Sequence, residues 1–183
     1  EIKIQQNIRL KFSFKLQMKL ESIELDSLDL QLLDALQRDA SASNQALAER
    51  LRISPPTCLR RVKRLHEAGL IERQVALLNP ERLAQALGHG LTAIVEVTLD
   101  RQDAEPLAAF EARIGADEAV QQCYRVSPGP DFVLVVGVAD MPAYLALTQR
   151  LFNSDTHVRN VKTFFSVKRS KFEPRLPVPL TRG

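Results

Sequence analysis

Three segments in the first part of the chain carry apolar residues at helical spacing, each behind a residue that favours a helix N-terminus. The predicted helices run from Asp26 and Ser27 to about Arg38, from Ser43 to Leu51, and from Ser54 to about Ala68. Pro55 suits the first turn of the third helix because its missing amide hydrogen would have no partner there. Gly69 is predicted to end that helix, and Leu70 to Leu78 is predicted as a strand pair or wing.

The third helix has two unlike faces. Its inner stripe is predicted to be Leu59, Val62 and Leu65, and its polar residues largely point the other way. Residues 50–64 contain six basic side chains and no acidic one. Two helices joined by a short turn, with the second helix basic and beginning Ser-Pro, are typical of a helix-turn-helix that reads DNA. The alternative is a basic helix face that contacts only solvent.

The second part of the chain, from about Gly90, alternates between strand and helix periodicity. The order is strand, helix, strand, strand, helix, strand, with the strands at residues 91–99, 120–126, 131–138 and 158–168. The unbroken apolar run over 131–138 predicts a central strand. The sequence therefore predicts an α+β protein: an N-terminal winged helix-turn-helix, then a C-terminal ferredoxin-like β-α-β-β-α-β sandwich with both helices on one sheet face.

Composition and charge restrict the class of protein. The 183 residues are 45% hydrophobic and 26% charged, which is typical of a soluble globular chain. Four of the 25 basic and one of the 22 acidic residues lie in residues 1–17, so the rest of the chain is neutral and DNA binding must depend on local clustering. The longest apolar run, Phe132 to Ala139, is too short to span a bilayer, so we expect a cytoplasmic protein with no membrane partner.

The reactive side chains indicate neither catalysis nor a metal. The three histidines share no ligand spacing, and Cys58 and Cys123 are both predicted to be small core residues. The sequence contains no phosphate-binding glycine loop or nucleophile motif, so we expect no enzyme activity, no cofactor and no metal site. Residues 1–17 alternate apolar and polar, which predicts either an upstream, non-native extension without a role or a strand arm that pairs with another edge.

Several stretches together resemble the Lrp/AsnC (feast/famine) transcription regulators. They are Leu25-Asp26 through Leu36, Ser54-Pro55-Pro56-Thr57-Cys58-Leu59-Arg60-Arg61-Val62, Gly69-Leu70-Ile71 and Ala76-Leu77-Leu78-Asn79-Pro80. The resemblance covers the chain from Ile23 to Phe172. It implies a sequence-specific DNA-binding regulator of promoters that responds to an amino acid or a related metabolite. It also implies a homodimer that forms through the sheet and often assembles into an octamer.

The resemblance and the patterns together give domain boundaries and DNA contacts. The predicted parts are an extension at 1–17, a winged helix-turn-helix at 18–78, a linker at 79–90, a ligand-sensing and oligomerisation domain at 91–173 and a proline-rich tail at 174–183. Ser54, at the start of the third helix, is assigned to the DNA-binding residues, and base reading in double-stranded DNA is assigned to Pro56, Thr57, Arg60 and Arg61. Phosphate-backbone contacts are assigned to Ser43, Asn44, Arg50 and Arg64, and a wing contact to Arg73.

The predicted effector site is a loop in the second domain, made of Ser127, Pro128, Gly129, Pro130, Asp131 and Phe132. Such a loop can hold an amino-acid carboxylate with backbone amides, although two prolines remove two of the donors. Asp131 is either the partner of the ammonium group or a cap for a strand. Family members usually have glycine where Pro128 stands. Arg52 is a second departure, because it occupies a turn position where glycine makes a positive φ inexpensive.

A second class of function stays open on the residues alone. A ferredoxin-like domain can be a small-molecule sensor or a regulatory module whose helical block only dimerises. The acid-free basic helix favours DNA binding, because a dimerisation block does not need it.

Overall fold

The structure is a computed structural model that describes residues 23–88, 90–101, 103–153 and 157–179. Within them the chain forms two compact units: the second is Leu77–Phe172, and the first combines the residues before and after it. The predicted extension at 1–17 and His89 lie outside the described residues. No helix in the described ranges is long and apolar enough to cross a membrane.

The first unit contains the three predicted helices, α1 (Ser27–Arg38), α2 (Asn44–Leu51) and α3 (Pro55–Glu67). Short-range hydrogen bonds explain where they begin. The Asp26 side chain accepts from the N–H of Asp29, and the Asp29 side chain accepts from the N–H of Asp26. The Ser43 hydroxyl accepts from the N–H of Ala46 at 3.1 Å. Both caps were readable from the sequence, and the predicted helices are confirmed.

The turn between α2 and α3 depends on Arg52, which has φ 55° and ψ 44°. The left-handed backbone expected at this position is therefore confirmed. The core of the unit is made of small and aliphatic side chains from all three helices: Leu32, Ala35, Leu36, Leu47, Ala48, Cys58 and Leu65. The prediction of a buried Cys58 is confirmed. The prediction that Leu59 belongs to the inner stripe is wrong, because Cys58 takes the inward position and Leu59 is 59% exposed.

The connection before the second unit lacks the predicted strands, and the tail after that unit bonds to α1. Residues 72–79 contain no helix or strand, so the strand pair predicted over Leu70–Leu78 is absent and this connection is irregular. The proline-rich tail returns to the first unit. The side chain of Gln37 on α1 donates to the carbonyl of Leu176 at 3.2 Å and accepts from its N–H at 2.7 Å. These two bonds attach the tail to α1.

The second unit begins with the linker as a short helix and continues as the predicted alternation of strands and helices. Its elements are α4 (Pro80–Leu87), β1 (Leu91–Leu99), α5 (Ala104–Gly115), β2 (Val120–Arg125), β3 (Phe132–Val138), α6 (Met141–Thr148) with a π-helical turn (Gln149–Asn153), and β4 (Val158–Phe165). The strands form an antiparallel sheet in the order β2-β3-β1-β4. The ferredoxin-like order is confirmed, with β3 inside the sheet as predicted.

Alternating side chains of β1 and β3 form one wall of the second core. Ala93, Val95 and Val97 on β1 are fully buried, and they pack with Leu134 and Val136 on β3. Residues of α5 and α6 cover this face, and they include Leu107, Phe110, Ile114, Tyr144 and Leu147. The prediction that Cys123 is a core residue is wrong, because β2 is an edge strand and leaves the thiol exposed.

Candidate nucleic-acid interface

A cluster of charged side chains joins α3 to α1. The fully buried carboxylate of Asp29 accepts hydrogen bonds from Arg61, at 2.8 Å, and from Arg64. Arg61 also donates to Asp26, at 2.7 Å, and its side chain is only 22% exposed. We call these four residues the Asp29 cluster. Two charged hydrogen bonds from one helix to a buried acceptor on another fix the rotation of α3 about its own axis.

Hydrogen bonds within the Asp29 cluster shift the pKa values of its members. The N–H of Asp29 and the guanidinium of Arg61 hold the pKa of Asp26 below its ordinary value. The carboxylates of Asp26 and Asp29 in turn raise the pKa of Arg61. The charge of Arg61 is therefore balanced inside the protein, which leaves little of it for an external anion.

The opposite face of α3 is exposed to solvent, and we call it the reading face. It consists of Pro56, Leu59, Arg60 and Lys63. Lys63 is 74% exposed and lies 3.7 Å from Glu67 at the end of the same helix. Arg60 makes no ion pair with any carboxylate in the ranges that the structure describes. Arg60 therefore presents a positive charge without an ion-pair partner in the described ranges, and Lys63 presents one that is only weakly paired in solvent.

The start of α3 is tied to α2. The side-chain amide of Asn44 donates to the carbonyl of Pro55 at 2.9 Å. The hydroxyls of Ser54 and Thr57 are 2.8 Å apart and bond to each other, so Ser54 makes no side-chain bond to a backbone amide. These contacts hold the first turn of α3 in place, with Pro56 exposed and Thr57 half-buried.

The predicted DNA-contact residues fall into groups in the structure. Pro56 and Arg60 share the reading face, whereas Arg61 lies in the Asp29 cluster. Arg64 belongs to the same cluster but keeps 46% of its side chain exposed. Thr57 lies in the first turn of α3 and bonds the hydroxyl of Ser54, the residue before the helix. The other predicted contacts lie outside α3: Ser43 caps α2, Asn44 holds Pro55, and Arg50 and Arg73 are exposed. The prediction omitted Lys63 and Leu59, which the helical phase places on the reading face.

The predicted effector loop lies between β2 and β3, and Asp131 within it is only 8% exposed. One of its carboxylate oxygens accepts from the N–H of Leu99 at 2.7 Å. Its own N–H donates to the carbonyl of Val97 at 2.9 Å, and its carbonyl accepts from the N–H of Val126 at 3.1 Å. Asp131 therefore fastens the loop to the end of β1, which is the strand-capping role that the sequence left open.

An open cavity of about 360 Å³ lies beside this loop. Its lining combines the loop residues 127–131 with Leu107, Arg125 and Val126. Arg125 was not predicted, although it is the last residue of β2 and directly precedes the loop region. Its guanidinium is half-exposed and lies 3.8 Å from Glu111. Among the described residues, no group of three or more histidine, cysteine or acidic side chains could hold a metal ion.

Comparisons with known proteins cover both units. A winged helix-turn-helix DNA-binding model matches residues 25–72, and an Lrp/AsnC ligand-binding-domain model matches residues 92–176. The leucine-responsive regulatory protein of Rhizobium meliloti is 36% identical over 149 residues, which span 81% of this chain and 93% of that protein. The leucine-responsive regulatory protein of Escherichia coli K12 is 34% identical over 155 residues, 85% of this chain and 92% of that protein.

Solved structures agree with the sequence matches. An AsnC-family transcriptional regulator from Agrobacterium tumefaciens superposes with a TM-score of 0.73 at 30% identity, over 84% of this chain and 97% of that chain. A transcriptional regulator from Neisseria meningitidis, solved as a complex with L-Met, gives the same TM-score, identity and coverage.

Proposed function

Because the chain belongs to the Lrp/AsnC family of transcriptional regulators, we propose that it recognises operator DNA through the reading face of α3. The observation that carries this proposal is the position of the basic residues opposite the Asp29 cluster. The cluster keeps α3 in one orientation. On the other side, Arg60 has no ion-pair partner among the described residues, and Lys63 lies 3.7 Å from Glu67 at the end of the helix.

Each group of residues has its own part in this proposal. Arg60 has the length and the donor geometry to bond a guanine edge in the major groove, and Lys63 suits a phosphate. Pro56 and Thr57 bring the first turn of α3 close to the bases. Arg61 was predicted to read bases, but its bonds to Asp26 and Asp29 favour a positioning role that sets the orientation of α3.

Contacts to the DNA backbone complete the proposed interface. Arg50 and the exposed part of Arg64 would neutralise phosphates and release counterions. Ser43 and Asn44, at the start of α2, would bond phosphate oxygens, and Arg73 would contact the DNA beside the recognition helix. A homodimer would place two reading faces on half-sites one helical turn or a multiple apart, which predicts an imperfectly palindromic operator.

Fluorescence anisotropy tests this proposal on a duplex that the full chain selects from random sequence, against a scrambled duplex of equal length. The parent should prefer the selected duplex with a steep salt dependence, and Arg60→Ala should lose much of that preference. Arg82→Ala is the matched control, because Arg82 is an exposed arginine in the other unit. Equal binding of both duplexes by the parent, or unchanged binding by Arg60→Ala, would contradict the assignment.

We also propose that the cavity beside the loop 127–132 takes an amino acid. Arg125 and the backbone amides of the loop would bind its carboxylate, and the ammonium group would lie near Asp131. One oxygen of Asp131 is already bonded to the N–H of Leu99, so the ammonium group would use the other oxygen. The L-Met bound in the Neisseria meningitidis regulator supports this ligand class for the fold.

Calorimetry tests the amino-acid proposal independently of DNA. The full chain should release or absorb heat with at least one of L-Met, L-Leu or the other common amino acids at millimolar concentration. Arg125→Ala should abolish that heat, whereas Arg159→Ala, an exposed arginine on β4, should not. The absence of heat with every amino acid would exclude an effector of this class at this cavity.

A further inference from the structure

We propose that Leu59 is a specificity-determining residue that contacts the C5-methyl group of a thymine in the major groove. This inference rests on the proposed function of α3 and adds an apolar contact to it. The helical spacing of the apolar residues predicts Leu59 in the core, but in the structure Leu59 is 59% exposed.

The surroundings of Leu59 distinguish it from an ordinary surface leucine. Residues three and four apart share one side of a helix, so Leu59 lies beside Pro56 and Lys63. Arg60 is its neighbour on the same reading face. Leu59 is thus a large exposed apolar side chain next to two basic residues, while the other aliphatic residues of α3, Val62 and Leu65, contact the core.

The charges around Leu59 indicate which partner this face fits. An apolar partner surface on another protein would have to bring acidic groups to meet Arg60 and Lys63. DNA carries those negative charges along both edges of the major groove, with the bases between them. Leu59 adjoins both cations on the reading face, so a groove in which Arg60 meets a base edge and Lys63 meets a phosphate also receives Leu59.

The base edge that matches Leu59 follows from the chemistry of the groove. Thymine is the only base that presents a methyl group there, and aliphatic side chains have no hydrogen bond to offer the other edges. We therefore expect a thymine in each half-site, close to the base pair that Arg60 contacts. Arg60 and Leu59 together would read one hydrogen-bonding edge and one methyl group.

Deoxyuridine substitution isolates this contact, because it removes the methyl group of thymine and changes nothing else. The probe is the duplex selected by the full chain from random sequence, with each thymine replaced by deoxyuridine in turn. The parent should lose about fourfold in affinity at one thymine per half-site, which is the value of one buried methyl group. Leu59→Ala should bind the thymine and deoxyuridine duplexes equally well.

The experiment needs a control variant and a check that Leu59→Ala is folded. Leu145→Ala removes an equally exposed leucine, 61% exposed, from α6 in the other unit, and it should keep the full deoxyuridine penalty. Leu59→Ala should fold, because it replaces an exposed helical residue with the strongest helix former. Circular dichroism and light scattering check its unfolding temperature and its oligomeric state.

Three results would overturn the inference. The first is a parent with no deoxyuridine penalty at any thymine. The second is a penalty of the same size in Leu59→Ala, which would assign the methyl contact to another residue. The third is a change of oligomeric state in Leu59→Ala with the penalty retained, which would place Leu59 in a protein contact. A parent that prefers no selected duplex over a scrambled one would instead refute the proposed function, and this inference with it.

Discussion

The Asp29 cluster makes a sharp prediction about stability. Both oxygens of the Asp29 carboxylate are occupied: Oδ1 accepts from Arg61, and Oδ2 accepts from Arg64 and from the N–H of Asp26. Asp29→Asn preserves the shape of the side chain and removes its charge. Whichever way the new amide turns, its NH₂ group meets at least one donor. The substitution therefore replaces attraction by a donor facing a donor at a fully buried position.

The expected size of the effect follows from the exposure of the partners. Breaking a fully buried ion pair costs about 3–5 kcal/mol when the remaining charge stays buried. Here the side chains of Arg61 and Arg64 are 22% and 46% exposed, so both guanidinium groups can turn partly towards water. We therefore expect Asp29→Asn to lower the free energy of unfolding by about 2–3 kcal/mol. This is a large part of the roughly 5–15 kcal/mol typical of a domain.

Urea denaturation of the full chain measures the loss of free energy of unfolding, and amide hydrogen exchange shows which helices and strands are affected. The urea midpoint should fall without a change in m, and peptides from α1 and α3 should exchange faster while those from β1 and β3 do not. Asp34→Asn is the matched control, because Asp34 lies on the same helix but pairs with the half-exposed Arg38. It should cost less than about 1 kcal/mol. Equal losses in the two variants, or a loss below about 0.5 kcal/mol in Asp29→Asn, would refute the role of the cluster.

Three further outcomes follow from the same contacts. Arg61→Ala should lower the urea midpoint more than Arg60→Ala does, whereas Arg60→Ala should weaken DNA binding measured at pH 7 without much loss of stability. The pKa of Asp26 is lower in the fold than its ordinary value of 3.8, so the ionised Asp26 side chain stabilises the fold at pH values above 3.8. The free energy of unfolding of the parent, measured by urea titration, should therefore drop as the pH falls below 3.8. Asp26→Asn should flatten this pH dependence. Ser43→Ala should cost about 1 kcal/mol in thermal unfolding, and Ser54→Ala less, because only the Ser43 hydroxyl caps a backbone amide.

The elements that the sequence predicted well depend on short-range signals. A cap is decided by residues three apart, and the burial of β1 is decided by a period of two, so both can be read from a few neighbouring letters. The left-handed Arg52 belongs to the same class, because the turn between two helices leaves little choice of backbone conformation. These local signals account for the three helices of the first unit and for the order of helices and strands in the second.

The predictions that failed concern residues whose burial or hydrogen bonds are decided by parts of the chain that are distant in sequence. Cys123 pairs in the sheet with the buried Leu134, but β2 is an edge strand with less cover, which only the sheet order shows. The loop at Asp131 has a related difficulty. The Asp131 carboxylate accepts a hydrogen bond from the N–H of Leu99, which is 32 residues earlier in the chain. No local sequence pattern predicts this contact.

The orientation of α3 in the candidate interface is also decided by a residue that is distant in sequence. A pattern of Leu59, Val62 and Leu65 and a pattern of Cys58, Val62 and Leu65 both fit a helical stripe, so the apolar residues alone do not fix the rotation of the helix. The buried Asp29 decides between them, because it needs Arg61 to face α1, and successive helical residues are roughly 100° apart. Once Arg61 turns inward, Leu59 and Arg60 must turn outward. A carboxylate on α1 thereby determines which side chains of α3 form the reading face.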